Sequence, residues 1–478
     1  MKNSFFLLYI IMCPLVIFSG CMKLGADYHR PDIGVRIPER YQHDLSVKAL
    51  SQPEDRWWRA FGDAELNQLI NEALLNNLDI KKAAARILEV RSKLVQSRAD
   101  RFPVLNLQGQ VQRQRQTVNV PVGLTLQSQR QTSDIHNLSF PASFELDLWG
   151  RLARAEEGAR ADLLEAEENR STIAQTVVAE LISLYFQTES LERRIQVAHS
   201  SIRNYRRSLD LVEKRYGRGL TSALDVRAAR TFLAQAEASL PSLRQELGIA
   251  QQKLGVLIGR YPETSAPRTH AKDYYKSLSP VPPGLPSELL LRRPDIRAAE
   301  ARLKALNARV GVAKASRFPR ITLTGTFGYT SEELGRLFRH QSELWNLALG
   351  VAQPLFDAGK LESGQRASEA RYKQGLAEYA KTVLNAFSEA EKALLTRREQ
   401  LERRDRVLNF LAQARATQKI AELRYERGLV GYLNVLEAQQ TRFRAEESLI
   451  MVNLAILSNR VSLHRALGGG WAELLPGH

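Results

Sequence analysis

The chain has 478 residues, enough for two or more domains. Hydrophobic residues make up 44%, charged residues 25% and aromatic residues only 7%, which favours long helices over a dense β-sandwich. The net charge of +16 is compatible with a nucleic-acid partner or with a solvated basic surface. We expect the solvated surface and no nucleic acid, because the arginines are spread along helical stretches and do not cluster with aromatic residues.

The N-terminal sequence indicates export. It has one Lys, an apolar run too short to span a membrane, and small residues before Cys21. Phe18-Ser19-Gly20-Cys21 resembles a bacterial lipobox, so we predict a signal peptide at 1–20 and a lipid on Cys21. An ordinary signal peptide with an incidental cysteine is the alternative, although the mature chain would then hold one cysteine with no disulfide partner. Met22 is not the Asp of an inner-membrane retention signal.

The mature chain is predicted to start with an extended segment, 21–62, and then a helix over 64–98, where apolar residues recur at helical spacing. The pair Phe102-Pro103 ends this helix. The period then changes to two, because Leu105, Leu107 and Gly109 alternate with polar residues. A second alternating run follows, so we predict a β-hairpin over 103–148.

A long helix over 150–216 follows, roughly 100 Å at 1.5 Å per residue. A helix of this length needs neighbours to pack against. It ends in the segment RYGRGLTSALDV, where Gly219 supplies the positive φ of a turn, and a return helix covers 223–258. The Pro-rich stretch 261–294 reads as a connector.

The second half repeats the first. Leu78–Gln110 matches Pro294–Thr326, and Arg215–Val226 matches Arg424–Val435. The number of positions between matching residues is larger for the first pair of segments than for the second. The first copy therefore has extra residues between its two matched segments, and they lie in its hairpin. We therefore predict two tandem copies of one unit, at 63–260 and 295–469, with a tail at 470–478. The predicted elements of the second copy are helices over 296–316, 359–425 and 432–466 and a hairpin over 319–355.

Each chain thus has four candidate strands of about the 9–11 residues that a membrane strand needs. A soluble sheet with one wet face alternates in the same way. The export signal favours the membrane. A sheet in lipid must close on itself, and four strands are too few, so several chains must share one barrel.

An envelope enzyme and a helical spacer or adhesin are the two alternatives. An envelope enzyme finds no support, since the sequence has no HExxH, P-loop, GxSxG or Cys/His metal spacing, and its eight histidines are scattered. We expect no enzyme activity, cofactor or metal. A helical spacer or adhesin would explain the long helices but would leave the four alternating segments without a purpose.

Four segments resemble the TolC-like outer-membrane efflux factors, in their lipoprotein (NodT-type) branch. They are LPSELLLRRPDIRAAEARL, GADYHRP, WWRAFGD and LGGGW. The resemblance implies a mainly α fold with membrane β-strands, and a homotrimer whose 12-stranded β-barrel stands on an α-helical periplasmic tunnel. It also implies passive export of small molecules, driven by an inner-membrane pump through a periplasmic adaptor protein.

The resemblance also implies site residues. The two turns between long and return helices would lie farthest from the membrane and meet the adaptor. Tyr425 matches the gate tyrosine of the family, and Asp225 the aspartate that it can hydrogen-bond. We expect a constriction at Leu429 and Val430. The candidate docking residues are Arg215, Gly219, Leu220, Thr221, Arg424, Gly428, Leu429 and Val430, and the candidate gate residues are Tyr425, Asp225, Asn434 and Glu437.

Overall fold

The computed structural model describes residues 23–34, 38, 40–43, 56–122, 125–264, 274, 281 and 292–468. The predicted signal peptide, Cys21, most of the connector and the C-terminal tail lie outside these residues. The helices are α1 (Ala64–Asn76), α2 (Leu78–Ala99), α3 (Arg151–Tyr216), α4 (Ala223–Leu257), α5 (Pro294–Ala315), α6 (Lys360–Glu426) and α7 (Tyr432–Ala466). The strands are β1 (Val104–Leu105), β2 (Gln108–Val122), β3 (Thr125–Leu146), β4 (Arg320–Ser331) and β5 (Glu343–Ala352).

The strands form one antiparallel sheet in which β3 lies between β1–β2 and β4, and β5 follows β4. The two hairpins have the same pairing. Val104 pairs with Ser143 in the first hairpin, and Arg320 pairs with Ala352 in the second. Val104 corresponds to Arg320 in the match of Leu78–Gln110 with Pro294–Thr326. Ser143 corresponds to Ala352 when the match of Arg215–Val226 with Arg424–Val435 is extended towards the N-terminus. The hairpins are therefore two copies of one unit in register as well as in sequence.

One face of the sheet is apolar and exposed. Phe140 lies opposite Phe327, and Leu349 lies opposite Leu323. Trp345 on the edge strand is 75% exposed and Val351 is 64% exposed. An apolar sheet face of this kind suits contact with lipid. The opposite face carries the Ser, Thr, Asn and Gln residues of the same strands.

The strands of the first hairpin are longer than the sequence predicted. β2 has 15 residues and β3 has 22. Only His136–Leu146 of β3 pairs with β4, so residues 112–122 and 125–135 continue beyond the second hairpin as a two-stranded ribbon. We call these residues the distal ribbon. Residues 112–117 and 130–134 of this ribbon are all polar, so the sequence has no apolar alternation there to predict strands.

The predicted helix over 64–98 is two helices, α1 and α2. The break is at Asn77, which is 3% exposed. Its side-chain oxygen accepts the backbone N–H groups of Asp79 and Ile80 at 2.9 and 3.1 Å, which caps α2. Its amide donates to the carbonyl oxygen of Leu257 at 2.9 Å. The buried Asn77 side chain makes the cap of α2 and the bond to Leu257 together, and the helix is interrupted at this residue.

The chain divides into two compact units, and each takes segments from both repeats. The first is residues 1–33, 87–165 and 299–379, and the second is residues 34–86, 166–298 and 380–478. The domain boundaries that follow the repeats stay a prediction. None of the helices in the described part of the chain is both long and apolar enough to cross a membrane.

The largest core of the second unit surrounds a short 3-10 helix, Trp57–Phe61. Phe61 stacks edge-on against Phe186 of α3 at 4.8 Å. Asp63 caps α1 and accepts hydrogen bonds from the hydroxyls of Tyr185 and Tyr274 at 2.8 and 2.7 Å. This core therefore joins α1 to the middle of α3, well away from the helix ends that carry the candidate site.

Candidate functional site

The candidate site consists of two turns, which we call the tips. The first tip is residues 217–222, between α3 and α4. The second is residues 427–431, between α6 and α7. In each tip a glycine has positive φ, 71° at Gly219 and 73° at Gly428. The next residue closes the helix end: Leu220 N–H donates to Arg215 O at 2.9 Å, and Leu429 N–H donates to Arg424 O at 2.9 Å. Both tips are therefore Schellman motifs.

Apolar side chains are exposed at these turns. Leu220 and Leu429 occupy equivalent positions, and each is 62% exposed. Thr221 and Val430 follow them and are half-buried. The exposure of a leucine at the equivalent turn of each repeat indicates a surface available for contact with another protein.

Arg215 connects the first tip to the second. Its guanidinium carbon lies 4.5 Å from the centroid of the Tyr425 ring, and its Nη1 donates to the Tyr425 carbonyl oxygen at 3.3 Å. The other neighbour of this ring is Tyr432, with the ring centroids 4.9 Å apart. Tyr425 is thus buried between a cation from one hairpin and an aromatic ring of its own hairpin. The contact between Arg215 and the Tyr425 ring is a cation–π interaction.

The structure does not join Tyr425 to Asp225 within one chain. The Tyr425 hydroxyl is buried and has no hydrogen-bond partner in the described parts of the chain. The Asp225 carboxylate instead accepts hydrogen bonds from Thr221 Oγ1 at 2.7 Å and from Ser222 N–H at 3.1 Å. Partial burial raises the pKa of Asp225, but these hydrogen bonds outweigh burial and hold the pKa below its ordinary value.

The two tips differ in how the return helix begins. In α4, Ser222 and Asp225 form a reciprocal capping box. The equivalent residues in α7 are Gly431 and Asn434, and Gly431 has no side chain to cap the helix. Asn434 Nδ2 donates to Gly431 O at 3.3 Å instead. The second tip therefore lacks the capping box of the first tip, and Val430 cannot make the hydrogen bond that Thr221 donates to Asp225.

A groove of about 540 Å³ lies between α6 and α7 next to the second tip. Four predicted site residues line it, namely Arg424, Val430, Asn434 and Glu437. Asn434 and Glu437 are exposed and lie one helical turn apart. Phe410, Ile420 and Ala421 supply apolar surface at the same groove. The second hairpin thus presents an acid, an amide and an apolar wall on one side.

Sequence reasoning missed two residues that hold the second hairpin. Tyr432 is 1% exposed against Tyr425. Gln439 is 4% exposed and bridges helices, because its Nε2 donates to Ser208 Oγ at 3.3 Å and to Glu422 Oε1 at 3.2 Å. The repeat contained the signal for Gln439: its equivalent in the first copy is Arg230, which pairs with Glu213 at 2.7 Å.

The chain after Cys21 is fixed beside the sheet. Leu24 N–H donates to Trp149 O at 3.1 Å, just after β3. Arg154, which is 1% exposed, donates to the carbonyl oxygens of Leu24 and Gly25 at 3.1 and 2.8 Å. A Cβ on Gly150 would come within 2.9 Å of Lys23 Cα. The first described residues therefore lie at the end of the strands from which the helices begin.

Comparison with known proteins identifies the family. The sequence profile of the "Outer membrane efflux protein" family matches twice, at residues 69–260 and 285–469. "Cation efflux system protein CusC" of Escherichia coli O6:H1 is 32% identical over 466 residues, covering 96% of this chain and 98% of CusC. "Probable outer membrane lipoprotein SilC" of Salmonella typhimurium is 30% identical over 465 residues, covering 96% and 98%.

The fold is shared with solved channels. The structure described as the outer-membrane channel OprN superposes with a TM-score of 0.85 at 31% identity, covering 94% of this chain and 99% of that chain. The predicted fold class, outer-membrane location and efflux-channel function are confirmed by these matches. The family and these relatives are transport proteins, not enzymes. The chain belongs to the outer membrane efflux protein family.

Proposed function

We propose that three copies of the chain form one channel, anchored by a lipid on Cys21, through which small molecules leave passively. In this proposal a periplasmic adaptor protein meets the tips and links the channel to an inner-membrane pump. The observation that carries the trimer is the sheet. Its two outer edges, β1–β2 and β5, have no strand partner in the described part of the chain.

Open edges are costly in lipid, because every unpaired N–H and C=O lacks water. The strands of one chain are too few to close, since single-chain barrels begin at about eight strands. Because β1 and β2 pair with β3 in one register and count as one strand, each chain supplies four strands and three chains supply twelve. The edge β5 of one copy would pair with β1–β2 of the next, just as β3 pairs with β4 inside the chain.

The repeat gives the register of that pairing. Inside the chain Ser139 lies opposite Gly328. Replacing each residue by its repeat equivalent, Ser139 by Ala348 and Gly328 by Gln112, places Ala348 opposite Gln112 of the partner subunit. Asn106 N–H donates to Pro141 O at 3.0 Å, so odd-numbered residues of β3 direct their hydrogen bonds towards β1–β2. Ser139 and Gly328 are then a close pair without mutual hydrogen bonds, and so are Ala348 and its partner.

The lipid anchor is supported by the contacts of residues 23–25. Arg154 and Trp149 hold this segment at the start of α3, directly after the sheet. A lipid on Cys21, only two residues before Lys23, would enter the membrane beside the barrel wall. One acyl chain binds a membrane only marginally, so several chains, or the barrel itself, must complete the attachment.

The gate is proposed to be an intermolecular contact. Tyr425 has a buried hydroxyl without a partner in the described parts of its own chain, and a rotation of the side chain would bring this hydroxyl to a neighbouring copy. We assign that acceptor to Asp225 of the partner subunit. Leu429 and Val430 would form the apolar constriction, with Glu437 behind it. The docking surface for the adaptor is the pair of tips, where Leu220 and Leu429 are exposed.

Native mass and conductance test the proposed channel together. The full-length protein is extracted from outer membranes in mild detergent, and the detergent mass is subtracted. Three chains, and ion conductance after reconstitution into planar bilayers, support the proposal. A mass of one chain would leave open edges in lipid and would contradict it, and the helical-spacer alternative would then explain the chain better.

A further inference from the structure

The charged residues of the distal ribbon all lie on one face of its two strands. Arg113 lies opposite Asp134, Arg115 opposite Thr132, and Arg130 opposite Thr117. The other face carries glutamines, and two of their side-chain bonds run along β2, from Gln110 to Gln112 and on to Gln114. Among the side chains described in 108–117 and 130–137, no charged group lies on this second face.

The arginine face continues the apolar face of the sheet. Side chains two residues apart in a strand share a face, so Asp134 and Thr132 lie on the same side as Leu138 and Phe140. The apolar face ends in aromatic residues. Phe327 contacts Tyr329 at 5.9 Å, and Tyr329 contacts Phe338 at 5.7 Å. Aromatic residues mark the boundary of the hydrocarbon layer in membrane strands.

The arginines emerge just beyond that boundary. Arg113 is four strand residues past the level of Leu138, about 13 Å along the strand, and Arg115 is six residues past it, about 20 Å. Membrane strands tilt by about 40°, so their height above the aromatic level is smaller. That height corresponds to the headgroup layer outside the hydrocarbon core. The distal ribbon is at the opposite end of the strands from the start of α3, so with α3 in the periplasm its base lies at the outer leaflet.

The guanidinium groups of Arg113, Arg115 and Arg130 are exposed and can bind a ligand. Arg113 forms an ion pair with Asp134 at 2.9 Å but is 76% exposed. Arg115 Nε donates to Thr132 Oγ1 at 3.0 Å. Neither Arg115 nor Arg130 pairs with a carboxylate in the parts of the chain that the structure describes, and both are exposed. The face therefore keeps a net positive charge after its internal pair is counted.

We propose that this face binds the phosphate groups of lipid headgroups in the outer leaflet of the outer membrane. Guanidinium groups bind phosphate oxygens in pairs of parallel hydrogen bonds. The inference rests on the proposed function, because it needs the helices in the periplasm and the sheet in the membrane. The strands of the second hairpin end at Ser331 and Glu343, before this level, so each chain presents one such strand face, and a trimer presents three.

The test measures lipid binding to the full-length protein in dodecyl maltoside. Diphosphorylated lipid A is titrated in mixed micelles, the same lipid without phosphates is titrated in parallel, and bound lipid is measured by co-elution. R113Q/R115Q/R130Q is expected to bind the phosphorylated lipid about tenfold or more weakly. D134N is expected to bind it about twofold more tightly, because Arg113 loses its internal partner, and misfolding cannot mimic a gain.

The control is R366Q/R371Q/R406Q, which removes the same charge from exposed positions of α6. It should bind lipid as the wild type does. Equal binding by the ribbon variant and the wild type, no gain in D134N, or equal binding of the dephosphorylated lipid would overturn the inference. Native mass separates the two proposals: a trimer with unchanged lipid binding defeats only this inference, whereas a monomer defeats the proposed channel.

Discussion

The guanidinium of Arg215, at the end of α3, covers the ring of Tyr425, at the end of α6, at 4.5 Å. The same side chain donates to the Tyr425 carbonyl oxygen. One arginine of the first repeat therefore holds the last turn of the long helix of the second repeat. This contact joins the helix that leads into the capped first tip to the helix that leads into the uncapped second tip.

Replacing Arg215 by Ala is expected to loosen the second tip. It removes a cation–π contact and a hydrogen bond, together about 1–2 kcal/mol. In planar bilayers we expect a larger or more frequent open conductance, and in cells greater entry of vancomycin. R218A is the matched control, since Arg218 is an exposed arginine of the same tip. Conductance in R215A equal to that of R218A would contradict the restraint.

The hydroxyl of Tyr425 can be tested separately from its ring. Y425F keeps the packing against Arg215 and Tyr432 and removes only an oxygen that has no partner in the described chain. If that oxygen bonds Asp225 of the partner subunit, Y425F raises conductance and D225A adds nothing further to it. S222A is the control, because it removes the helix cap of α4 without removing the carboxylate. If the effects of Y425F and D225A on conductance add in the double variant, this gate assignment is wrong.

The sequence predicted the parts of the fold that repeat. Extending the two sequence matches places Val104 and Ser143 on Arg320 and Ala352, and the structure has both pairs. The turn glycines were predictable as well, because positive φ strongly favours Gly at such a position. Two copies of one pattern in one chain are a stronger signal than either copy by itself.

Other features depend on contacts that no local pattern encodes. Asn77 divides a helix-like stretch because its side chain reaches Leu257, which is 180 positions away. Residues 112–117 of the distal ribbon alternate Gln with Arg or Thr, so neither face is apolar there and the strand period is hidden. The Arg215–Tyr425 contact joins residues 210 positions apart. The residues of the candidate site stay predictions, and the sequence named Asp225 but not Arg215 or Tyr432 as the neighbour of Tyr425.

Grafting the cap of the first tip onto the second is expected to stabilise it. In G431S/N434D the second tip acquires the Ser222–Asp225 pattern. Gly431 has φ −72° and open space around it, so Ser fits without strain. A capping box stabilises a helix end by about 1 kcal/mol, so amide hydrogen exchange in the first turn of α7 should slow roughly fivefold.

The opposite change at the same tip serves as its control. G428A forces alanine into φ 73° and should cost about 1–2 kcal/mol. No heavy atom in the described part of the chain lies within 4 Å of the added methyl group, so the cost arises from the backbone alone. Exchange in the first turn of α7 should quicken in G428A. Slower exchange there would mean that these turns do not limit the opening of the tip.

Acid is expected to remove the difference between the tips. The pKa of Asp225 is lowered in the folded chain by its bonds to Thr221 and Ser222, despite partial burial. Its contribution to stability is therefore complete above the ordinary aspartate pKa of about 3.9 and is lost as pH falls through the lowered value. After correction for intrinsic rates, hydrogen exchange at the start of α4 should accelerate in that range. The start of α7, where neutral Asn434 stands in place of Asp225, is the internal control and should not change by this mechanism.

The register of the proposed interface gives the sharpest test of assembly. The mature chain has Cys21 as its single cysteine if residues 1–20 are removed, and a lipid on its sulfur would leave no free thiol. A348C/Q112C places two cysteines opposite each other on neighbouring copies, in a close pair without mutual hydrogen bonds, where Cα atoms lie about 4.5 Å apart. Mild oxidation should convert the outer-membrane protein into covalent dimers and trimers. A348C/Q110C keeps both residues on the same face but shifts the register by two positions, so it should cross-link far less. Preferential cross-linking of the shifted pair would disprove the register while leaving the trimer intact, and no cross-linking in either variant, together with a native mass of one chain, would disprove the shared barrel.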